Sequence, residues 1–302
     1  MPYITIDTKQ IYYEEYGKEN KRTIVYFHGG PGVGCLNFTN QAKLLAEKFH
    51  VIIFDQYGCL RSEAIDNDQP FDIQYHLMLI DQMRKEMKIP SWTILGHSYG
   101  GMLACLYANA YPQSIDAIIF DCPSFDFILS AKSISKFFVP YYKNFKPNGV
   151  KNAIKVIDTE YQDKKQFMHD FWHVIEPVED EKMRNYLHGI SVEEFNEHYP
   201  IQNLSEECRN KGFSYQQKIF QADYFFENHF SALKEIKKPL LLLVGKFDPV
   251  CCEVQRKYFQ KHAFNGTTIE FENSGHFPHL EEPEVYKNAI STWVEHFVRR
   301  YE

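Results

Sequence analysis

Residues 92–110 constrain the fold more than any other stretch of the chain. An apolar run, Trp92 to Leu95, follows Pro90, leads into Gly96-His97-Ser98-Tyr99-Gly100, and gives way to a segment whose small residues Gly100, Gly101, Ala104 and Ala108 recur at helical spacing. A buried strand that turns sharply into a helix packing close to the sheet meets this pattern. The glycines two residues either side of Ser98 permit a turn too tight for a β-carbon, and such a turn lifts a serine hydroxyl clear of the sheet. The bland alternative, a glycine-rich strand-to-helix turn, leaves the rest of the chain's pattern without a use.

The flanking elements repeat that alternation. Tyr3 to Asp7 and Ile11 to Tyr16 read as an antiparallel hairpin, and Thr23 to Phe27 as a buried strand. A helix over Phe38 to Phe49, a strand from Val51 to Phe54, a helix carrying Ile73, Leu77, Ile80 and Met87, and a strand from Ile115 to Phe120 continue the series. The series then stops, and residues 122–237 are helical in pattern, aromatic and charged. Pro239 to Gly245 resumes it with four leucines and a valine, Thr267 to Phe271 is the last strand, and a helix from Pro283 turns Tyr286, Ile290, Trp293, Phe297 and Tyr301 inward. The expectation is an α/β core of residues 1–121 and 238–302, a mostly parallel sheet with helices on both faces, and a helical cap inserted as residues 122–237.

Composition narrows the function. A formal charge of -7 with scattered cations offers no basic face to nucleic acid, and no apolar stretch approaches a membrane span. The N-terminal segment has no basic region followed by an apolar run, which points to the cytoplasm. The seven cysteines, Cys35, Cys59, Cys105, Cys122, Cys208, Cys251 and Cys252, lack metal-ligand spacing and read as free thiols.

Three further segments suit acyl transfer by Ser98. His28-Gly29-Gly30-Pro31-Gly32 follows a strand, where backbone N–H groups can meet a developing oxyanion; the candidates are Tyr99 and Gly30, with Gly29 as the fallback, since Pro31 cannot donate. Among thirteen histidines, His276 in Ser274-Gly275-His276 follows the last strand and is the candidate general base, while His28 and His97 read as structural and His279 lies past the turn. Asp248, closing Gly245-Lys246-Phe247-Asp248 after the leucine strand, is the candidate acid, with Asp121 as its competitor. Serine, acid and histidine then occur in the chain order of the α/β-hydrolase fold. No metal or organic cofactor is expected, and the partner is a small molecule or short peptide.

These motifs, together with Phe54-Asp55-Gln56-Tyr57-Gly58-Cys59-Leu60-Arg61-Ser62, resemble the prolyl aminopeptidase (proline iminopeptidase) branch, peptidase family S33. The likeness covers Tyr3 to Ser124 and Pro239 onward. It implies an aminopeptidase acting on small peptides, with Asp55 and Arg61 forming a salt bridge beside the site. The chain departs from the family with Tyr57 in place of an arginine and Tyr99 in place of a tryptophan. In the cap, Gln221 falls where the family's glutamate binds the substrate amine, leaving Asp223 or Glu227 as substitute carboxylates. The alternatives are an esterase, amidase or lactonase for a small apolar acyl group, suggested by Phe137, Phe138, Tyr141, Tyr142, Phe171 and Trp172, and a silent binding protein of the same fold.

Overall fold

A computed structural model of the chain describes residues 2–66 and 68–301, apart from the side chains of residues 179–182 and 297–301. Phe297 and Tyr301 therefore lie outside the described side chains. Among the described residues eight strands form one sheet: β1 (Tyr3–Ile6), β2 (Lys9–Tyr16), β3 (Thr23–Phe27), β4 (His50–Phe54), β5 (Trp92–His97), β6 (Ile115–Asp121), β7 (Leu240–Gly245) and β8 (Gly266–Phe271). Their order is β1-β2-β4-β3-β5-β6-β7-β8. The β1-β2 and β2-β4 pairs are antiparallel and all other pairs are parallel.

Strand periodicity explains how one sheet feeds two cores. Val25, Phe27, Ile52, Phe54, Leu240 and Leu242 belong to one buried cluster, and their neighbours Ile24, Tyr26, Val51, Ile53, Leu241 and Leu243 belong to the other. Both faces are covered, so these strands read as continuous apolar runs and not as an alternation. Helices Ile73–Glu86, Tyr99–Ala110 and Glu253–His262 pack on the first face; Thr39–Leu45 and Pro283–Tyr301 pack on the second, with Tyr286, Ile290 and Trp293 buried there. Helix 253–262 went unread in the sequence because only Gln255 and Phe259 are buried in it, too few for a periodic signal. The helix expected over 38–49 is shorter, with a 3-10 turn Leu36–Phe38 and an α-helix Thr39–Leu45.

Strand β3 lies between β4 and β5, so the chain runs from β3 to β4 on one side and then crosses to β5 on the other, which opens a crevice at the carboxyl ends of the strands. Between β6 and β7 the described chain is helical, from Phe127 to Glu235. Phe138, Tyr142, Phe167 and Phe171 form this region's own core. No helix among the described residues is long and apolar enough to cross a membrane.

Candidate active site

Ser98 sits between β5 and helix Tyr99–Ala110 with φ 54° and ψ −118°, a backbone conformation that L-residues rarely adopt. The turn is held by its own hydrogen bonds: Ser98 N–H donates to Asp121 O at 3.0 Å, and Ser98 O accepts from Gly101 N at 2.9 Å and Ser124 N at 3.1 Å. Glycine is required two residues on, because a β-carbon at Gly100 would lie 1.9 Å from Phe27 O. Ser98 is half-buried while its neighbours His97 and Tyr99 are buried. The strand, the turn and the close helix packing together present one hydroxyl to a cavity of about 210 Å3.

Gly30, Tyr99 and His276 line the same cavity. Tyr99 is the first residue of its helix, so its N–H has no acceptor within that helix and lies at the positive end of the helix dipole. Gly30 adopts φ +113°, closed to other residues, and lines the cavity; Gly29, the fallback, is buried beneath it against His97 and Ser98. His28 anchors this loop. Its Nε2 accepts from Gln56 N at 3.1 Å, leaving Nδ1 to donate to Gly29 O at 3.0 Å. Burial lowers its pKa to about 4, so the ring stays neutral. Next to it Arg61 grips Asp55 in a bidentate pair at 2.7 and 3.0 Å. Burial pushes the Asp55 carboxyl up, but the Arg61 hydrogen bonds and charge outweigh it and hold it below the usual range.

Asp248 and His276 meet: His276 Nδ1 lies 2.8 Å from Asp248 Oδ1. The carboxylate is aimed by two backbone donors, Val250 N to Oδ1 and Cys251 N to Oδ2, both at 2.9 Å. A carboxylate accepts only, so the imidazole donates from Nδ1 and leaves Nε2 free to accept a proton. Asp121, the competing acid, is engaged elsewhere. Its Oδ2 lies 3.1 Å from His97 Nδ1 and 3.0 Å from His279 Nδ1. Burial pushes this carboxyl up, yet the two histidines outweigh burial and hold it well below the ordinary range. His97, lowered to about 4 chiefly by burial, is neutral and packs its ring 4.7 Å from that of His276.

Glu281, which carries no sequence signal, supports the loop of His276. Its carboxylate accepts from Gly275 N and Phe277 N, either side of His276, and from His188 N and Gly189 N at 2.6 and 2.7 Å. One side chain thus ties the histidine loop to the helical region, and Tyr186 O adds a bond from His276 N. No motif marks such a residue, because its partners are backbone groups from two distant segments.

The substrate-binding candidates of the cap are not brought to the cavity. Gln221, Asp223 and Glu227 are exposed, and Asp223 is paired with Lys164. Their neighbours Phe220 and Phe225 face inward instead, joined by Phe127. The segment is a helix end and a 3-10 turn (Asp223–Phe226), and burying its aromatics turns its acids to solvent. Of the aromatics that suggested the esterase alternative, Phe138, Tyr142 and Phe171 are buried in the core of the helical region, and Phe137 and Trp172 are exposed. Among the described lining residues there is no carboxylate, lysine or arginine.

Residues 22–283 match the family model of the alpha/beta hydrolase fold, and the chain belongs to that family; it is a hydrolase. Within the family it is similar to proline iminopeptidases. The one from Saccharolobus solfataricus is 26% identical, over 94% of this chain and 89% of that protein. Among solved structures, a proline iminopeptidase from Mycobacterium smegmatis superposes with a TM-score of 0.72 at 15% identity, covering 99% of both chains. An esterase from Exiguobacterium antarcticum does so at 0.68 and 20% identity, covering 97% of this chain and 98% of its own.

Proposed function

We propose that this hydrolase works by acyl transfer through Ser98, His276 and Asp248 on small substrates whose acyl group is uncharged, esters foremost. Ser98 Oγ attacks the carbonyl carbon as its proton passes to His276 Nε2, and Asp248 stabilises the resulting imidazolium. The N–H groups of Gly30 and Tyr99 receive the oxyanion of the tetrahedral intermediate. Its collapse breaks the bond to the leaving group, which takes the proton from His276. Water then repeats the sequence on the acyl-enzyme and releases the acid.

The observation that carries the choice of substrate is the absence of any carboxylate among the described residues lining the cavity. A protonated amine entering such a space loses its hydration and finds no counter-charge among the described lining residues, a cost of several kcal/mol. The second reading, a prolyl aminopeptidase, is favoured by the names of the relatives. One comparison separates the two. The ester reading expects p-nitrophenyl butyrate to turn over well and proline p-nitroanilide to gain nothing from its free amine over its N-acetyl form. Strong cleavage of the free form alone would establish the aminopeptidase. A fluorophosphonate probe should label Ser98, and labelling elsewhere would remove the nucleophile assignment.

A further inference from the structure

Residues 127–157 carry six lysines and no acidic residue, in a chain whose formal charge is -7. They form the helix Phe127–Phe145 and all but the last residue of the helix Gly149–Asp158, which pack against each other. The first helix is apolar on two sides. Inward, Phe127, Ser130 and Ile134 line the Ser98 cavity, and Ala131, Phe138 and Tyr142 belong to the core of the helical region. Outward, Phe137 and Phe145 are 41% and 70% exposed, and half-buried Tyr141 lies between them at one-turn spacing, its ring 5.2 Å from that of Phe145. Ile154 of the second helix is 43% exposed. Lys136, Lys143 and Lys151 are exposed and form no ion pair among the described residues, whereas Lys132 and Lys155 are paired with Glu160 and Asp170. A helix apolar on both sides is ordinarily enclosed, and an exposed apolar patch rimmed by polar groups marks an interaction surface.

We propose that this outer face, Phe137, Tyr141 and Phe145 with Lys136, Lys143 and Lys151, docks on the surface of an anionic phospholipid bilayer. The rings enter the boundary between headgroups and acyl chains, while the lysine stems follow the apolar surface and carry their ammonium groups to the lipid phosphates. Charge complementarity selects this occupant. A second copy related by a two-fold axis would set a face without any acid against itself, so its lysines would find no counter-charge, and the buried centres of protein interfaces are depleted of lysine. An anionic bilayer supplies the opposite charge over its whole surface and demands no matching shape. The helix that meets the lipid is then the one whose inner side lines the cavity. This docking does not depend on which reaction Ser98 performs.

The test is cosedimentation with vesicles of phosphatidylcholine alone and of an equimolar phosphatidylcholine–phosphatidylglycerol mixture. The wild-type protein should bind the mixed vesicles at least about tenfold more tightly than the neutral ones, and less tightly as salt is raised. Phe137→Ser combined with Phe145→Ser should weaken that binding by about tenfold or more, and so should Lys136→Glu combined with Lys143→Glu. Both pairs alter exposed side chains, so the melting temperature should stay close to that of the wild type and tie the loss to the surface and not to the fold. Failure of the wild-type protein to bind the mixed vesicles overturns the proposal, as does binding that either doubly substituted protein keeps in full. Sedimentation velocity without lipid is the remaining arm: a wild-type dimer that the two serine substitutions convert to a monomer would assign the face to a second copy and overturn the proposal.

Discussion

Replacing Asp248 by asparagine should separate orientation from charge at His276. The carboxylate serves three donors: Val250 N–H and His276 Nδ1–H on Oδ1, and Cys251 N–H on Oδ2. An asparagine keeps the shape but has only one oxygen. If its NH2 takes the Oδ2 place, Cys251 N–H loses its acceptor and the imidazole keeps its tautomer without a negative charge behind it. If its NH2 takes the Oδ1 place, Val250 N–H is unpaired, and His276 must accept at Nδ1 and carry its proton on Nε2, where it cannot receive one from Ser98. Either arrangement forfeits one backbone hydrogen bond, about 1–3 kcal/mol of stability, so the variant should still fold. Turnover should fall by about four orders of magnitude, on the order of 5 kcal/mol of transition-state stabilisation. Asp121→Asn is the control. Both its histidine partners use one oxygen, Oδ2, and an asparagine oxygen can keep both bonds, so the loss should stay below about tenfold. The assay is kcat/KM on p-nitrophenyl butyrate, with thermal melting to show that each variant is folded. A loss below about thirtyfold in a folded Asp248→Asn protein, or a larger loss in Asp121→Asn, would refute the assignment.

Two other perturbations probe what packing built. Glu281→Ala leaves four backbone N–H groups on the histidine loop and the adjoining cap turn without their shared acceptor; kcat should drop by at least about tenfold, through misplacement of His276, with KM much less affected, and an unchanged kcat would show that Tyr186 O alone holds the loop. His76 is buried among Phe54, Leu79 and Ile80 with neither ring nitrogen partnered among the described residues, and burial lowers its pKa from 6.5 to about 3. Its folded value lies below its unfolded one, so the unfolded chain binds the extra proton and stability is lost as the pH falls below about 6.5, by roughly 1.4 kcal/mol per unit. His76→Phe should equal or exceed the wild type in melting temperature at pH 8 and gain about 2 kcal/mol over it at pH 5; an identical pH dependence in the two proteins would remove His76 from the acid limb.

Much of this molecule is written locally. Strands buried on both faces need apolar runs whichever helices cover them, so β3 to β7 could be read from the chain alone, and the turn at Ser98 could be read because only a narrow set of residues tolerates its backbone. Asp248 and His276 could be read from their places just past two strand ends, since parallel strands deliver those ends to one edge of the sheet. The cap was a different matter. Phe220 and Phe225 turn inward and Gln221, Asp223 and Glu227 outward because of how a short helix end and a 3-10 turn pack on Phe127, a long-range choice with no signature in the spacing of the residues themselves. Glu281 acts on backbone N–H groups, which every residue but proline carries, so nothing in the sequence marks its partners. The sequence by itself determined the sheet, the turn and the places of Ser98, Asp248 and His276 just past strand ends, because strand burial and backbone strain restrict residue type position by position. Only the tertiary structure decided which polar groups face the cavity, because that property belongs to contacts between distant segments and not to any one residue.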